Sequence, residues 1–225
     1  MHIEPGVVNG AKMALSVATA AGAGAYALKM TWDALVQRGA LSLVARSLMA
    51  TIAVFIFFEV LPHFAVGISE VHFILGTTIL LILGIAPAAI GLALGLLLQG
   101  MVFAPTDLPM FTVNITTLLV PLFGIYVLAK KIIADGTAYV DLTYAQALIL
   151  SATYQGGVVA WVAFWAIYGQ GFGVETLAAV ASFGAAYMTV LLIEPIADLA
   201  ILAAAKRVKG LDGSGLVNQR LYGAA

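Results

Sequence analysis

The sequence has 225 residues, of which 63% are hydrophobic and 9% charged, with a formal net charge of −1 and no cysteine; its mean hydropathy is +1.07. Soluble globular domains carry about 25% charged residues, so this composition excludes them and points to an integral membrane protein. Near-neutral charge without a basic patch excludes a nucleic-acid partner, and the missing cysteines exclude disulfides, thiolate metal sites and thiol nucleophiles.

The chain opens with Met1, His2, Ile3, Glu4, Pro5 and Gly6, directly ahead of its first apolar segment. No secretory signal is visible before that segment, and a residue as large as His2 disfavours removal of the methionine, so Met1 is expected to be retained. A free α-amine and an imidazole one residue apart form a potential chelate. An exposed terminal histidine without a role is the commoner outcome.

The apolar stretches predict an all-α membrane protein of about seven helices, over 8–32, 42–61, 72–84, 86–104, 110–130, 142–168 and 176–205. The third is too short to cross a hydrocarbon core of ~30 Å, so it and the fourth are expected to form a hairpin broken around Gly84 and Pro87. Ala14, Ala18 and Gly22 recur every four residues on the first helix, as do Gly91 and Gly95 on the fourth. Such stripes let helices approach closely, within the chain or against a transmembrane coupling protein. Glu194 and Asp198 lie one turn apart on the seventh helix around Pro195; acids in a span are costly, which marks them for coupling or packing.

Lys29, Arg38, Arg46, Lys130, Lys131, Lys206, Arg207, Lys209 and Arg220 all fall on one side of a seven-span arrangement, with only Lys12 opposite. The positive-inside rule then places the N-terminus outside and the C-terminus in the cytoplasm, in a multi-pass protein of the inner (plasma) membrane. Glu4, Glu59, His63, Glu70, His72, Asp107 and Glu175 gather at the outer face. His2 is there too. The α-amine, the deprotonated amide and the ring nitrogen of His2 can close fused chelate rings, and a second imidazole completes a square of four nitrogens. That donor set suits Ni(II), Cu(II) and low-spin Co(II) and disfavours Mg, Ca and tetrahedral Zn. His63, after Pro62, reads as an interfacial loop residue. Glu70 either orients a ligand and draws cations to the mouth or is an ordinary exposed carboxylate.

The start "MHIEPG", the segment "SEVHFILGTTILLILG" from Ser69 to Gly84, Gln99 in "LLLQG" and Asn114 in "FTVNIT" together resemble the CbiM/NikM proteins. These are the substrate-binding membrane components of energy-coupling-factor (ECF) transporters for cobalt and nickel. The resemblance implies a seven-helix fold whose N-terminal loop tucks into the outer face, with metal held by the Met1 amine, His2 and His72. It further implies supporting positions for Asn114, which would fix the N-terminal loop from a loop of its own, and for Glu70 and Gln99. Two departures stand out: Thr106 to Pro109 replace the family's glycine-rich stretch, and Gly84, Ile85 and Ala86 replace its Gly-Pro-Trp.

The expected organisation is one transmembrane domain over 1–210, with its metal-binding loop at 1–7 and a short cytoplasmic tail over 211–225. The chain lacks a G-x-x-x-x-G-K-[ST] motif and any nucleophile–base constellation, so it is expected to be a transporter component without its own ATPase and without enzymatic activity. Co(II) or Ni(II) is expected as bound substrate, with no organic cofactor. The expected partners are the lipid bilayer, an ECF transmembrane coupling subunit and ATPase subunits, with a small accessory membrane subunit as an optional addition. The alternative is a non-transporting membrane subunit that keeps the fold for structure or assembly. A self-sufficient secondary permease ranks third, because it calls for more polar residues along the mid-membrane path.

Overall fold

The computed structural model describes residues 3–223. Its α-helices are α1 (Met13–Phe55), α2 (Gly76–Leu83), α3 (Ile85–Val102), α4 (Phe111–Ile132), α5 (Tyr144–Gln170) and α6 (Val174–Arg207). A hairpin of two short strands, β1 (Phe64–Val66) and β2 (Ser69–Val71), sits between α1 and α2. Among the described residues, five stretches are long and apolar enough to cross a membrane: Gly10–Val60, Ile85–Val102, Pro105–Ile132, Tyr144–Gln170 and Val174–Arg207.

The difference from the expected seven has two causes. First, the helices expected over 8–32 and 42–61 run together, and α1 bends at Gly39, where φ is 77° and ψ 168°. That backbone region is open only to glycine. At 1.5 Å per residue, 43 helical residues would span about 65 Å, twice the hydrocarbon thickness; the bend divides α1 into limbs over 13–38 and 40–55, about 39 and 24 Å long. Second, the helix expected over 72–84 starts only at Gly76, and residues 72–75 before it form no regular secondary structure and end in a left-handed turn at Leu75. The ends of α3 to α6 lie within two residues of the expected ones, and the break between α2 and α3 falls at Gly84.

Small residues explain how the second limb of α1 packs on α3. A Cβ added at Gly91 would lie 2.4 Å from the Ala50 side chain, and one added at Gly95 would lie 2.5 Å from that of Val54. The stripe on α3 is therefore used within the chain. Ala14, Ala18 and Gly22 on the first limb are exposed instead. The start of α5 is fixed by a capping box, in which Thr143 accepts from the Gln146 N–H while the Gln146 side chain accepts from the Thr143 N–H.

Two ends of the bundle are distinguishable. At one, Arg46 donates to the Leu83 carbonyl, and the segment after α6 folds back so that Arg38 donates to Val217 and the Asn218 N–H to Ile82. At the other, Ile3 forms an antiparallel bridge with Ser69, and the Glu4 N–H donates to the Ile68 carbonyl. The N-terminal segment thus pairs with the two-stranded hairpin through one isolated bridge, a minimal N-terminal strand.

Candidate metal centre

Of the residues singled out from the sequence, Met1 and His2 lie outside the described part of the chain. His72, Glu70, Gln99 and Asn114 are all described, and they come from three elements that meet around the N-terminal strand.

His72 follows β2 directly and is 1% exposed. The sequence places it at the start of a helix on the outer face; here it lies on an irregular stretch ahead of α2, inside the bundle. Its ring stands edge-on to Phe58, with centroids 4.5 Å apart and planes at 63°. Phe58 is in turn approached by buried Gln99 on α3, whose amide nitrogen lies 3.5 Å from the Phe58 carbonyl and 3.3 Å from the Glu59 carboxylate. Gln99 thus ties the helical turn that follows α1, Ile56–Val60, where the His72 neighbour sits, to α3.

Asn114 stands in the first turn of α4 rather than in a loop, and it is fully buried. Its Oδ1 accepts the Ile3 N–H at 2.9 Å. Ile3 is itself completely buried, so this acceptor satisfies a donor that water cannot reach. Val7 and Val8 are buried too, and the turn they form rests on Gly169 near the end of α5: a Cβ there would meet the Val7 carbonyl oxygen at 1.9 Å. Lys12 closes the same contact by donating to the Gly169 carbonyl at 2.8 Å.

Glu70 pairs with Ala65 across the hairpin and is half-buried, whereas Ser69 and Val71 on either side of it are buried. His63 turns back on its own loop, with Nδ1 3.2 Å from the Leu61 carbonyl, and the structure does not join it to His72. Among the described residues no group of three histidine, aspartate or glutamate side chains is close enough to hold a metal ion.

Glu194 and Asp198, flagged by sequence as costly intramembrane acids, receive a role from the geometry. Glu194 Oε1 accepts the N–H groups of Ile74 and Leu75 at 2.6 and 3.0 Å. Its Oε2 accepts from the Gln155 amide, and Gln155 accepts from the Tyr187 hydroxyl at 2.8 Å. Asp198 accepts from the Thr78 hydroxyl. Leu75 has φ of 52°, the one positive value among the described non-glycine residues, a strained backbone for a branched side chain. The two carboxylates of α6 thus cap the N-terminus of α2 from another helix and hold the turn that follows His72. The i, i+4 spacing of two acids in an apolar helix was the sequence signal; their target, a pair of backbone N–H groups, has no signature in side-chain identity.

Among protein families, the model described as CbiM, cobalt uptake substrate-specific transmembrane region, matches residues 2–210. No curated protein and no solved structure matches the chain.

Proposed function

The chain belongs to the CbiM family of cobalt uptake transmembrane regions, and from that premise we propose that it captures Co(II) or Ni(II) through the Met1 amine, the amide and ring of His2, and the ring of His72. A multi-pass membrane component of cobalt transport, working in association with other transporter subunits, is what membership in the family implies. The nitrogen donor set is the finer reading.

The observation that carries it is the double anchoring of Ile3, by the bridge to Ser69 and by the hydrogen bond to Asn114. Two residues of chain reach at most about 7 Å beyond that anchor, and Ser69 precedes His72 by three residues. Asn114 and Gln99 then act as supports, one on the N-terminal strand and one on the Phe58 backbone, in the way outer groups orient metal ligands. Four nitrogens with one deprotonated amide create a strong planar field, favourable to Ni(II) and low-spin Co(II).

We place the N-terminal end outside and the cation-rich end in the cytoplasm, following the positive-inside rule. Each limb of α1 crosses once in this arrangement. β2, the irregular stretch 72–75 and α2 (about 12 Å long) together make a further crossing to Gly84 in this arrangement. With α3 to α6 this makes seven passes. The exposed Ala14, Ala18 and Gly22 stripe is the surface offered to a transmembrane coupling subunit, with ATPase subunits supplying the energy for an ECF-type cycle. Uptake of labelled Co(II) by cells carrying the full transporter tests the reading. His72→Ala should abolish uptake while the protein stays inserted, and undiminished uptake would contradict the proposal.

A further inference from the structure

The end of the bundle opposite the N-terminal strand encloses a cavity of about 230 Å³. Arg38, Arg46, Lys130 and Arg220 line it together with Tyr126 and Tyr139, and no aspartate or glutamate does. Four cations from both limbs of α1, from the end of α4 and from the segment after α6 thus share one space. The ion pairs among the described residues, Lys29 with Asp33 and Lys206 with Asp141, involve none of them.

Each cation is held in place by groups that leave its charge uncompensated. Arg46 is 4% exposed; its Nη1 donates to the Leu83 carbonyl at 2.8 Å and its Nε to that of Ser42 at 3.3 Å. Its Nη2 is buried and makes no hydrogen bond among the described residues. Arg38 donates to the Val217 carbonyl at 2.6 Å. Arg220 donates to the carbonyls of Ile133, Ala134 and Thr137 and lies 5.2 Å from the Tyr139 ring centroid. Lys130 stands 4.2 Å over the Tyr126 ring. Carbonyl dipoles and ring faces orient these side chains, but a buried guanidinium nitrogen without an acceptor and four like charges around one cavity are both unfavourable.

We propose that this cavity is a phosphate-binding site, filled by the headgroup of an anionic phospholipid or by free phosphate. Guanidinium groups match phosphate oxygens with paired N–H donors, and lysine adds a point charge. The hydroxyls of Tyr126 and Tyr139 add neutral donors; burial, partly offset by Arg220, raises the pKa of Tyr139, which keeps its hydroxyl protonated. The volume falls below the 300–1,000 Å³ of typical organic-ligand pockets, which suits a headgroup and not a nucleotide. A bound phosphate joins the two limbs of α1 across the Gly39 bend to α4 and to the C-terminal segment. Basic pockets between membrane helices are known takers of anionic headgroups.

The test uses the full chain purified in neutral detergent, with phosphatidylglycerol, phosphatidylcholine and inorganic phosphate as probes, read by native mass spectrometry and by the thermal midpoint at constant ionic strength. Phosphatidylglycerol should stay bound and raise the midpoint, and phosphatidylcholine should do neither. Arg46→Gln and Arg38→Gln should each lower apparent affinity about tenfold, the loss of one charge-assisted contact. Lys130→Gln, at an exposed position, serves if Arg46→Gln fails to fold. A midpoint rise with inorganic phosphate that is lost in the same variants identifies soluble phosphate as the source; a rise with the lipid alone identifies the headgroup. The proposal is overturned if neither probe binds, or if both bind the variants as well as the parent chain.

Discussion

Substituting Glu194 isolates what the carboxylates of α6 do for the segment that carries His72. Glu194→Ala removes the acceptor of the Ile74 and Leu75 N–H groups and of the Gln155 amide, all in residues buried from solvent. Each orphaned donor costs about 1–3 kcal/mol, so the loss of three should be about 3–9 kcal/mol, a large share of a total stability near 5–15 kcal/mol. Glu194→Gln keeps a carbonyl for the two backbone donors but turns its amide nitrogen toward that of Gln155, and should cost about 1–3 kcal/mol. Adding Gln155→Glu restores the complement: the amide at 194 donates to the carboxylate at 155, which still accepts from Tyr187. The double variant should recover most of the loss, a coupling that a mutant cycle measures directly. The assays are denaturant unfolding in detergent, hydrogen exchange at Ile74 and Leu75, and Ni(II) affinity. If Glu194→Gln with Gln155→Glu is no better than Glu194→Gln alone, the pairing argument is refuted and the charge at position 194 itself is what matters.

Asn114→Ala should weaken metal binding and cost about 1–3 kcal/mol by orphaning the Ile3 N–H, while Asn114→Asp, which keeps an acceptor, should be milder; calorimetric metal titration with a thermal melt separates the two. Gly169→Ala places a methyl group against the Val7 carbonyl and should displace the N-terminal turn, lowering metal affinity more than helix content, as titration beside circular dichroism would record. Binding should also weaken as pH falls below about 6. Protons compete for the imidazoles, whose ordinary pKa is about 6.5, and for the amide, so the metal-free protein carries more protons than the bound one. Affinity that stays constant between pH 5 and 8 would refute a nitrogen donor set.

The helices from α3 to α6 were legible because a lipid-spanning chain must satisfy its backbone internally, which leaves long apolar runs in plain view. The stretch at 72–75 was not. A largely buried irregular segment and the first turn of a buried helix carry the same apolar pattern, and periodicity cannot separate them. The bend at Gly39 was hidden for a related reason: residues 33–41, with Asp33 and Arg38, look like a loop between two helices, yet they also suit a helix that continues through the membrane surface. At the candidate site, Asn114 was legible only through the family resemblance, which put it in a loop; its position in a helix and its backbone target were not. Glu194 drew attention by its cost alone; the groups it serves are main-chain N–H donors 120 residues away in sequence, which nothing in the side-chain pattern records.

The central claim, metal capture by the chain's own N-terminal nitrogens beside His72, is tested most directly by Ni(II) titration of the protein with a free Met1 amine against the same protein extended by a few residues before Met1. A free amine should give tight binding with the yellow, diamagnetic signature of planar Ni(II), and the extension should lower affinity more than tenfold while leaving the fold intact. Equally tight binding and an unchanged spectrum in the extended protein would contradict the account.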